Sequence, residues 1–266
     1  MQDYIKRKIM EIKRKIMEMK ESVLDNFTVT NPKGKYLYET HCHTNLISAC
    51  SSLSPEQMVE LYAKNGYTGV FVTDHFLNGN CMPVIKAEKD FKKQIEMFFK
   101  GYEAVKEVAK DKLDVFCGFE VSYKGTDVLV YGWNEETTKK YPEIMDMTMR
   151  EFIEFANSHG ATTVQAHPFR EAEYIDHIRL FPGTQGVEIY NSSRDDLSNG
   201  LAYEYYKAYN AVYGKLKTGG SDSHSIAIKN LSGMAFDTKI QSEADFIKKL
   251  KTGEGEIFRK RNILVK

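Results

Sequence analysis

His41 and His43 flank one cysteine at the end of the short strand-like run YLYETH. In a β-strand the side chains of residues i and i+2 point to the same face, so both imidazoles would project together while Cys42 points the other way. Two imidazoles placed in this way can bind one metal ion. A His-x-His pair alone is a weak signal, so the other polar residues decide whether a metal site is present.

Polar residues of the same kind occur at the ends of other predicted strands. Including the first pair, they are His41 and His43, Asp74 and His75, Glu120, His167, Glu188 and Asn191, and Asp222 and His224. In a parallel barrel the carboxyl ends of the strands build the active site, so these side chains are expected to converge. Imidazoles and carboxylates suit Zn, Mn or Fe, and the shortage of thiols in the set favours a catalytic centre over a structural one.

Strand-like and helix-like patterns alternate along the chain after residue 35. Strands are predicted at YLYETH, YTGVFVTDH, LDVFCGFE, TDVLVYGW, ATTVQAH, GVEIYN and LKTGGSD. Helices are predicted from Pro55, with Ser54 as the N-cap, to Gly66, from Ile85 to Ala109, and near 147–158, 199–213 and 242–251. About seven strands separated by helices imply parallel pairing and an α/β fold that closes into a barrel.

The length of 266 residues fits one large α/β domain with an added N-terminal segment. We expect an amphipathic helix over residues 1–30 and the barrel domain over residues 31–266. The helix is predicted from apolar residues at spacings of three or four, namely Ile5, Ile9, Ile12, Ile16 and Met19. Such a helix would cover a face of the domain or form a homodimer.

Composition limits the classes of partner. Lys and Arg together number 37 and balance 37 Asp and Glu, so a broad basic surface for nucleic acid is not expected. The sequence lacks a signal-peptide core and a run of 18 apolar residues, so we expect a cytoplasmic protein without membrane association. The four cysteines form no Cys-x-x-Cys pair and are expected to stay reduced.

Five short motifs together resemble a known family. THCHT, VTDH, GFEV, QAHP and GGSDSH occur in the order and approximate spacing of the polymerase and histidinol phosphatase (PHP) family of metal-dependent phosphoesterases, over residues 36–225. Each motif is weak alone, but the ordered set is specific. The resemblance implies a distorted barrel of seven βα units that holds two or three divalent ions, with a metal-bound hydroxide attacking phosphorus.

The resemblance also implies roles for individual residues. His41, His43, Glu120 and Asp222 resemble the ligands of one ion, Glu120 bridges to a second ion that His167 also binds, and His75 and His224 resemble ligands of a third. Asp222 is thereby counted among the catalytic residues. Asp74 and His224 are candidates for protonating the leaving group, and Asp74 or Glu188 could instead orient a ligating histidine.

Two arginines follow strand ends and could bind a phosphate. Arg170 lies in HPFR and Arg194 in NSSRD, and the planar guanidinium fork suits phosphate oxygens. The alternative for each is an ordinary surface ion pair.

The chain departs from the family pattern at two positions. Relatives often carry an aspartate or histidine shortly after the first histidine pair, where this chain reads LISACSS. The third ion could therefore be bound through Cys50, through water, or not at all, and Cys50 could instead be a buried structural thiol. Asn134 stands where some relatives carry a histidine, which would weaken the second site.

The expected function is hydrolysis of a small phosphorylated metabolite, either a phosphomonoester such as histidinol phosphate or a nucleotide-derived phosphoester. One alternative is an amidohydrolase-type hydrolase of a C–N or ester bond, although those barrels usually use a modified lysine as the bridge and no strand-end lysine is present. The other is a non-catalytic, metal-stabilised module that binds partners through the N-terminal helix. The sequence does not identify the substrate.

Overall fold

Ten strands and seven α-helices make up the part of the chain that the computed structural model describes, residues 23–261 and residue 263. The strands are β1 Thr28–Thr30, β2 Tyr36–Cys42, β3 Gly69–Val72, β4 Asp114–Tyr123, β5 Thr126–Tyr131, β6 Thr162–Gln165, β7 Gly186–Asn191, β8 Leu216–Gly220, β9 Leu231–Phe236 and β10 Glu256–Lys260. The helices are α1 Pro55–Lys64, α2 Pro83–Ala87, α3 Phe91–Ala109, α4 Glu135–Thr138, α5 Met149–Ser158, α6 Asp196–Tyr213 and α7 Glu243–Lys251, with a 3-10 helix at Pro142–Met145.

One curled sheet contains all ten strands, in the order β1-β10-β9-β2-β3-β4-β5-β6-β7-β8. The residues after β8 return to β2: the Asp222 N–H donates to the His41 carbonyl at 2.7 Å, and the His43 N–H donates to the Ser223 carbonyl at 3.1 Å. Strands β2 to β8 therefore enclose a distorted seven-stranded barrel. The predicted α/β barrel class is confirmed.

Strand β5 is antiparallel to both of its neighbours, so the prediction of parallel pairing is wrong at this strand. Tyr123 pairs with Thr126, which leaves a turn of two residues, Lys124 and Gly125, with φ of 50° and 78°. Positive φ at both positions is typical of the tight hairpin turn that matches the twist of the flanking strands. Two residues leave no room for a crossover helix, so the chain must reverse direction.

The features that the sequence analysis did not predict are three strands at the edge of the sheet and a break within a long predicted helix. Strands β1, β9 and β10 extend the sheet beyond β2, and residues 28–30 of the predicted N-terminal segment form β1 rather than helix. Residues 1–22, which include the predicted amphipathic pattern, lie outside the described residues. The long helix predicted from Ile85 divides into α2 and α3, because the Asp90 carboxylate caps a new helix through the Lys92 N–H.

Helix α1 and strand β5 illustrate how the sequence patterns set the start of an element and the side chains that it buries. The Ser54 capping box begins α1 as predicted. Alternate residues of β5 face opposite sides: Val128 and Val130 pack with residues of α3 and α5, whereas Leu129 lies opposite Glu120 on the barrel face. Within the described residues, none of the helices is long and apolar enough to cross a membrane.

Gly233 allows β9 to approach β2 closely. A Cβ at this position would lie 2.1 Å from the Tyr38 carbonyl oxygen, in backbone that cannot move aside cheaply. We predict that Gly233→Ala lowers the free energy of unfolding by about 1–3 kcal/mol, the usual cost of overpacking. The matched control is Gly200→Ala in α6, where no atom lies within 4 Å, and helix propensity predicts no loss. Equal urea midpoints for the two variants would contradict this account of the sheet.

Candidate metal centre

All seven predicted metal ligands lie together at one end of the barrel. They form three groups in which every ligand atom lies within 4.8 Å of the others: His41, His43 and Asp222; His41, Glu120 and His167; His43, His75 and His224. The seven residues lie on or shortly after five strands, β2, β3, β4, β6 and β8, at the end of the barrel where parallel barrels build their sites. The fold therefore brings to one place side chains that are up to 183 residues apart in the sequence, the separation of His41 and His224.

The Glu120 carboxylate lies between four imidazoles. Its Oε1 is 3.2 Å from His41 Nε2 and 3.4 Å from His167 Nε2. Its Oε2 is 2.8 Å from His75 Nδ1 and 3.5 Å from His43 Nε2. Because each oxygen faces a different pair of histidines, the carboxylate is placed to bridge two cations.

The donor atoms of this cluster fit divalent metal ions. Both Glu120 oxygens, His41 Nε2, His43 Nε2 and His75 Nδ1 are buried and lack a hydrogen-bond partner among the described residues. A buried polar atom without a partner is costly, and native structures contain few of them. Here the atoms converge and are imidazole nitrogens and carboxylate oxygens, the ligands that Zn, Mn and Fe accept.

The surroundings of Glu120 keep its carboxylate ionised, and those of His43 keep its imidazole neutral. Burial acts to raise the pKa of Glu120, but the imidazoles of His41 and His75 outweigh it and hold that pKa well below its usual value. Burial, reinforced by His224 and His75, holds the pKa of His43 well below its usual value. An ionised carboxylate and a neutral imidazole are the forms that bind a metal. The pKa of His41 and that of His75 are raised, because the neighbouring carboxylates outweigh their burial, so these two imidazoles would release a proton when an ion binds.

Glu188 on β7 orients His41. Its Oε1 lies 3.0 Å from His41 Nδ1, and its Oε2 accepts the His167 N–H at 3.0 Å and the Asn191 amide at 3.0 Å. A carboxylate on Nδ1 directs Nε2 of His41 toward the cluster, the arrangement that fixes the tautomer of a ligating histidine. The structure thus places Glu188 in the orienting position that the sequence suggested.

Asp74 forms hydrogen bonds with the loop that follows the first histidine pair. It is 3% exposed, and its oxygens accept the Thr44 N–H at 2.6 Å, the Thr44 hydroxyl at 2.7 Å and the Ser48 hydroxyl at 2.7 Å. The Ser48 oxygen in turn accepts the His75 N–H at 3.0 Å. These hydrogen bonds engage both Asp74 oxygens and tie Asp74 to the loop that carries Thr44 and Ser48.

Two ligands adopt a backbone conformation that is unusual for their residue types. His167 has φ of 25° and Asp222 has φ of 52°. Positive φ costs a non-glycine residue roughly 1 kcal/mol or more and persists where surrounding structure enforces it. The two strained positions lie on the loops after β6 and β8, and both direct a side chain into the cluster.

A cavity of about 640 Å³ opens above the cluster and contains both predicted arginines in its wall. Arg170 Nη1 lies 3.3 Å from Asp127 Oδ2, and the Arg170 guanidinium lies over the Tyr174 ring at 5.3 Å. Arg194 Nη2 lies 2.8 Å from Asp222 Oδ2. Each arginine therefore pairs with a carboxylate of the site and is not an ordinary surface ion pair.

The two departures from the family pattern differ in their location. Cys50 is exposed and lines the cavity with His75 and His224, so its interpretation as a buried structural thiol is wrong. Asn134 caps α4 by accepting the Thr137 N–H at 2.9 Å, and lines a different cavity beside Trp133. Asn134 therefore does not lie at the metal centre.

Asp127 is the acidic residue that the sequence analysis missed. It is 2% exposed, lines the cavity, and places Oδ2 3.8 Å from His167 Nε2. Asp127 stands near the start of β5. Because β5 runs antiparallel to its neighbours, its first residues, rather than its last, lie at the end of the barrel that carries the candidate ligands. The signal for it was the Lys124–Gly125 pair, which is typical of a tight hairpin turn.

Comparisons with solved structures support the fold. A two-domain protein from Bacteroides vulgatus, which contains a predicted PHP-like metal-dependent phosphoesterase, is similar with a TM-score of 0.58 and 12% identity over 87% of this chain and 67% of that chain. PsfC from Pseudomonas syringae is similar with a TM-score of 0.52 and 16% identity over 85% of this chain and 91% of that chain. At these identities the likeness concerns the fold alone.

Comparison by sequence identifies the family. No curated protein matches the chain. The PHP domain family matches residues 39–251, a range that begins just before the first histidine pair and contains all seven ligands. This match covers most of the sequence, and the barrel and its cluster of candidate metal ligands agree with it. The chain belongs to the PHP domain family.

Proposed function

We propose that this chain is a metal-dependent phosphoesterase that hydrolyses a small phosphorylated metabolite. The observation that carries the proposal is the position of Glu120 between four imidazoles, beneath a cavity whose wall contains two arginines. Metal ions bound beneath this cavity and guanidinium groups in its wall would together favour an anionic substrate. A phosphomonoester such as histidinol phosphate, or a nucleotide-derived phosphoester, has the required charge.

The candidate ligands form three sets, one for each proposed ion. His41, His43 and Asp222 would hold one ion, Glu120 would bridge it to a second ion beside His167, and His75 with His224 would hold a third. When bound, such ions offset the charge of a phosphate and lower the pKa of a water to near neutrality. Glu188 and Asp74 keep His41 and the loop that carries His75 in place throughout.

The arginines would hold and orient the phosphoryl group. The Nε atoms of Arg170 and Arg194 are buried and have no hydrogen-bond partner among the described residues. Asp127 and Asp222 fix one edge of each guanidinium, so little side-chain entropy is lost when an anion binds. A volume of about 640 Å³ suits a metabolite rather than a polymer.

We propose that neither Asp74 nor His224 donates the proton to the leaving group. Asp74 is enclosed by Thr44 and Ser48, so we propose that it orients ligands. His224 faces the cavity, and its place in a ligand group favours metal binding. The leaving oxygen then takes its proton from water in the open cavity.

The two other functions have less support. In amidohydrolase-type C–N or ester hydrolysis a modified lysine would bridge the ions, but Glu120 stands between the four imidazoles. A non-catalytic module would need a partner surface, and the N-terminal segment proposed for it lies outside the described residues.

Metal content tests the bridging role of Glu120. We predict two or three divalent ions per chain by elemental analysis after purification without chelators, and at least one fewer in Glu120→Gln, because the amide is neutral and offers one good ligand oxygen. The control Glu243→Gln alters a carboxylate that accepts the Cys117 N–H elsewhere in the fold, and should leave the metal content unchanged. Equal metal content in Glu120→Gln and the unaltered chain would contradict the assignment.

Phosphate release tests the reaction. The metal-loaded chain should release phosphate from some members of a panel of phosphomonoesters and nucleotide-derived esters. His41→Ala should lower kcat/KM at least about 100-fold, since even outer partners of metal ligands cost about 10- to 100-fold. Circular dichroism should show that the variant stays folded. Failure of the loaded, unaltered chain on monoesters and diesters alike would overturn the proposal.

Substitution of Arg170 tests phosphate recognition. Loss of a charged hydrogen bond costs about 1.5–3 kcal/mol, so Arg170→Ala should lower kcat/KM about 10- to 100-fold. Arg170→Lys should restore part of the loss, because a lysine keeps the charge but lacks the planar fork. Arg150→Ala is the control, since Arg150 lies on the exposed face of α5 and pairs with Glu154. If Arg150→Ala and Arg170→Ala behave alike, Arg170 does not bind the substrate.

A further inference from the structure

The loop between β6 and β7, residues 166–185, carries both Arg170 and Tyr174 to the wall of the cavity. The two residues lie four positions apart in the sequence. Tyr174 is 65% exposed, although it is a large aromatic residue. A ring with this exposure buries little apolar area, so packing in the core does not account for its position.

The hairpin turn between β4 and β5 holds the part of the loop that carries Tyr174. A Cβ at Gly125, in this turn, would lie 2.7 Å from Ile175 Cγ1 and 3.0 Å from Tyr174 Cε2. Arg179 Nη1 donates to the Lys124 carbonyl of the same turn at 3.3 Å. Because Gly125 has no side chain, the loop can lie directly against the turn.

Gln165, the last residue of β6, fixes the far end of the same loop. It is fully buried. Its side-chain amide donates to the Arg179 carbonyl at 2.8 Å, and its side-chain oxygen accepts the Phe181 N–H at 2.8 Å. The loop is therefore tied both to the sheet and to the hairpin turn, and Tyr174 lies in the segment between Gln165 and these contacts.

The Arg170 guanidinium is held at two of its three nitrogens. Nη1 lies 3.3 Å from Asp127 Oδ2, and Nη2 donates to the Tyr174 hydroxyl. The Cζ atom of Arg170 lies 5.3 Å from the centre of the Tyr174 ring, within the range of a cation–π interaction. With Asp127 alone the guanidinium could turn about a single contact, so Tyr174 supplies the second restraint.

The two arginines of the cavity differ in what holds them. Arg194 Nη2 lies 2.8 Å from Asp222 Oδ2, and Asp222 is itself a candidate metal ligand. The two side chains that hold Arg170, Asp127 and Tyr174, lie outside the three ligand groups. The orientation of Arg170 is therefore set by contacts that do not include a candidate ligand.

We propose that Tyr174 is a positioning residue, which holds Arg170 in the orientation that binds the phosphoryl group. The inference rests on the proposed function, because that function assigns Arg170 to the phosphate. The hydroxyl restrains Nη2, and the ring supports the charged plane of the guanidinium. A side chain that is already oriented loses less conformational entropy when an anion binds, so Tyr174 raises the affinity for phosphate through Arg170.

The affinity of the metal-loaded chain for inorganic phosphate, measured by isothermal titration calorimetry, tests this role. Tyr174→Phe keeps the ring and removes the hydroxyl, and should raise the phosphate Kd about threefold to tenfold, the usual effect of one hydrogen bond. Tyr174→Leu also removes the ring and should raise the Kd further. For a hydrolysed ester, KM should rise in the same order, with a smaller change in kcat.

Tyr213→Phe is the matched control. Tyr213 is also exposed, and Lys215 Nζ lies 5.9 Å from the centre of its ring, but Tyr213 does not line the cavity. This variant should leave the phosphate Kd and the KM unchanged. If Tyr213→Phe weakens phosphate binding as much as Tyr174→Phe does, the effect does not come from Arg170, and the inference is wrong.

A double-mutant cycle separates positioning from a general structural role. In Arg170→Ala, the further change Tyr174→Phe should leave the phosphate Kd unaltered, because the guanidinium that Tyr174 holds is absent. Equal effects of Tyr174→Phe with and without Arg170 would overturn the inference, as would an unchanged Kd in Tyr174→Phe or no measurable phosphate binding by the unaltered, loaded chain. If the cycle gives the expected coupling but no ester is hydrolysed, the proposed function fails and the positioning role stands.

Discussion

The structure depends on one buried charge, the carboxylate of Glu120. Moving an ionised carboxylate out of water costs several kcal/mol, and a fold tolerates it where opposite charges or cations surround it. Here four imidazoles approach its two oxygens within 2.8–3.5 Å, although the residue is fully buried. The three ligand groups are arranged around this carboxylate, so its position determines where metal ions and substrate would lie.

The barrel maintains this arrangement through contacts outside the ligand set. Glu39, fully buried beneath the cluster, accepts the His41 N–H at 2.8 Å and the Ser221 N–H at 2.8 Å, and so joins β2 to the segment after β8. Glu188 and Asp74 hold the side chains and loops of the ligands in the same way. Strain at His167 and Asp222 is sustained because the sheet fixes both ends of their loops.

Much of this site could be predicted because ligand chemistry and strand ends coincide in the sequence. His41, His43, His75 and His224 were assigned from short motifs, and the barrel supplied the geometry that relates them. Asp127 could not be found by the same rule, since it begins an antiparallel strand and the rule considers where parallel strands end. Asn134 was misplaced because sequence spacing after β5 does not reveal that the chain turns outward into α4. The exposure of Cys50 was also missed, because its loop is held by hydrogen bonds from Ala49 to Asn80 and from Ser52 to His224, contacts between distant segments that a linear pattern does not encode.

The central claim is that Glu120 bridges two metal ions. The most direct test is a crystal structure of the chain loaded with zinc, with anomalous diffraction recorded on both sides of the zinc absorption edge. This account predicts two anomalous peaks that share Glu120, one beside His41 and His43 and the other beside His167. A single peak that Glu120 does not contact, or an imidazole–carboxylate cluster without any peak, would contradict it.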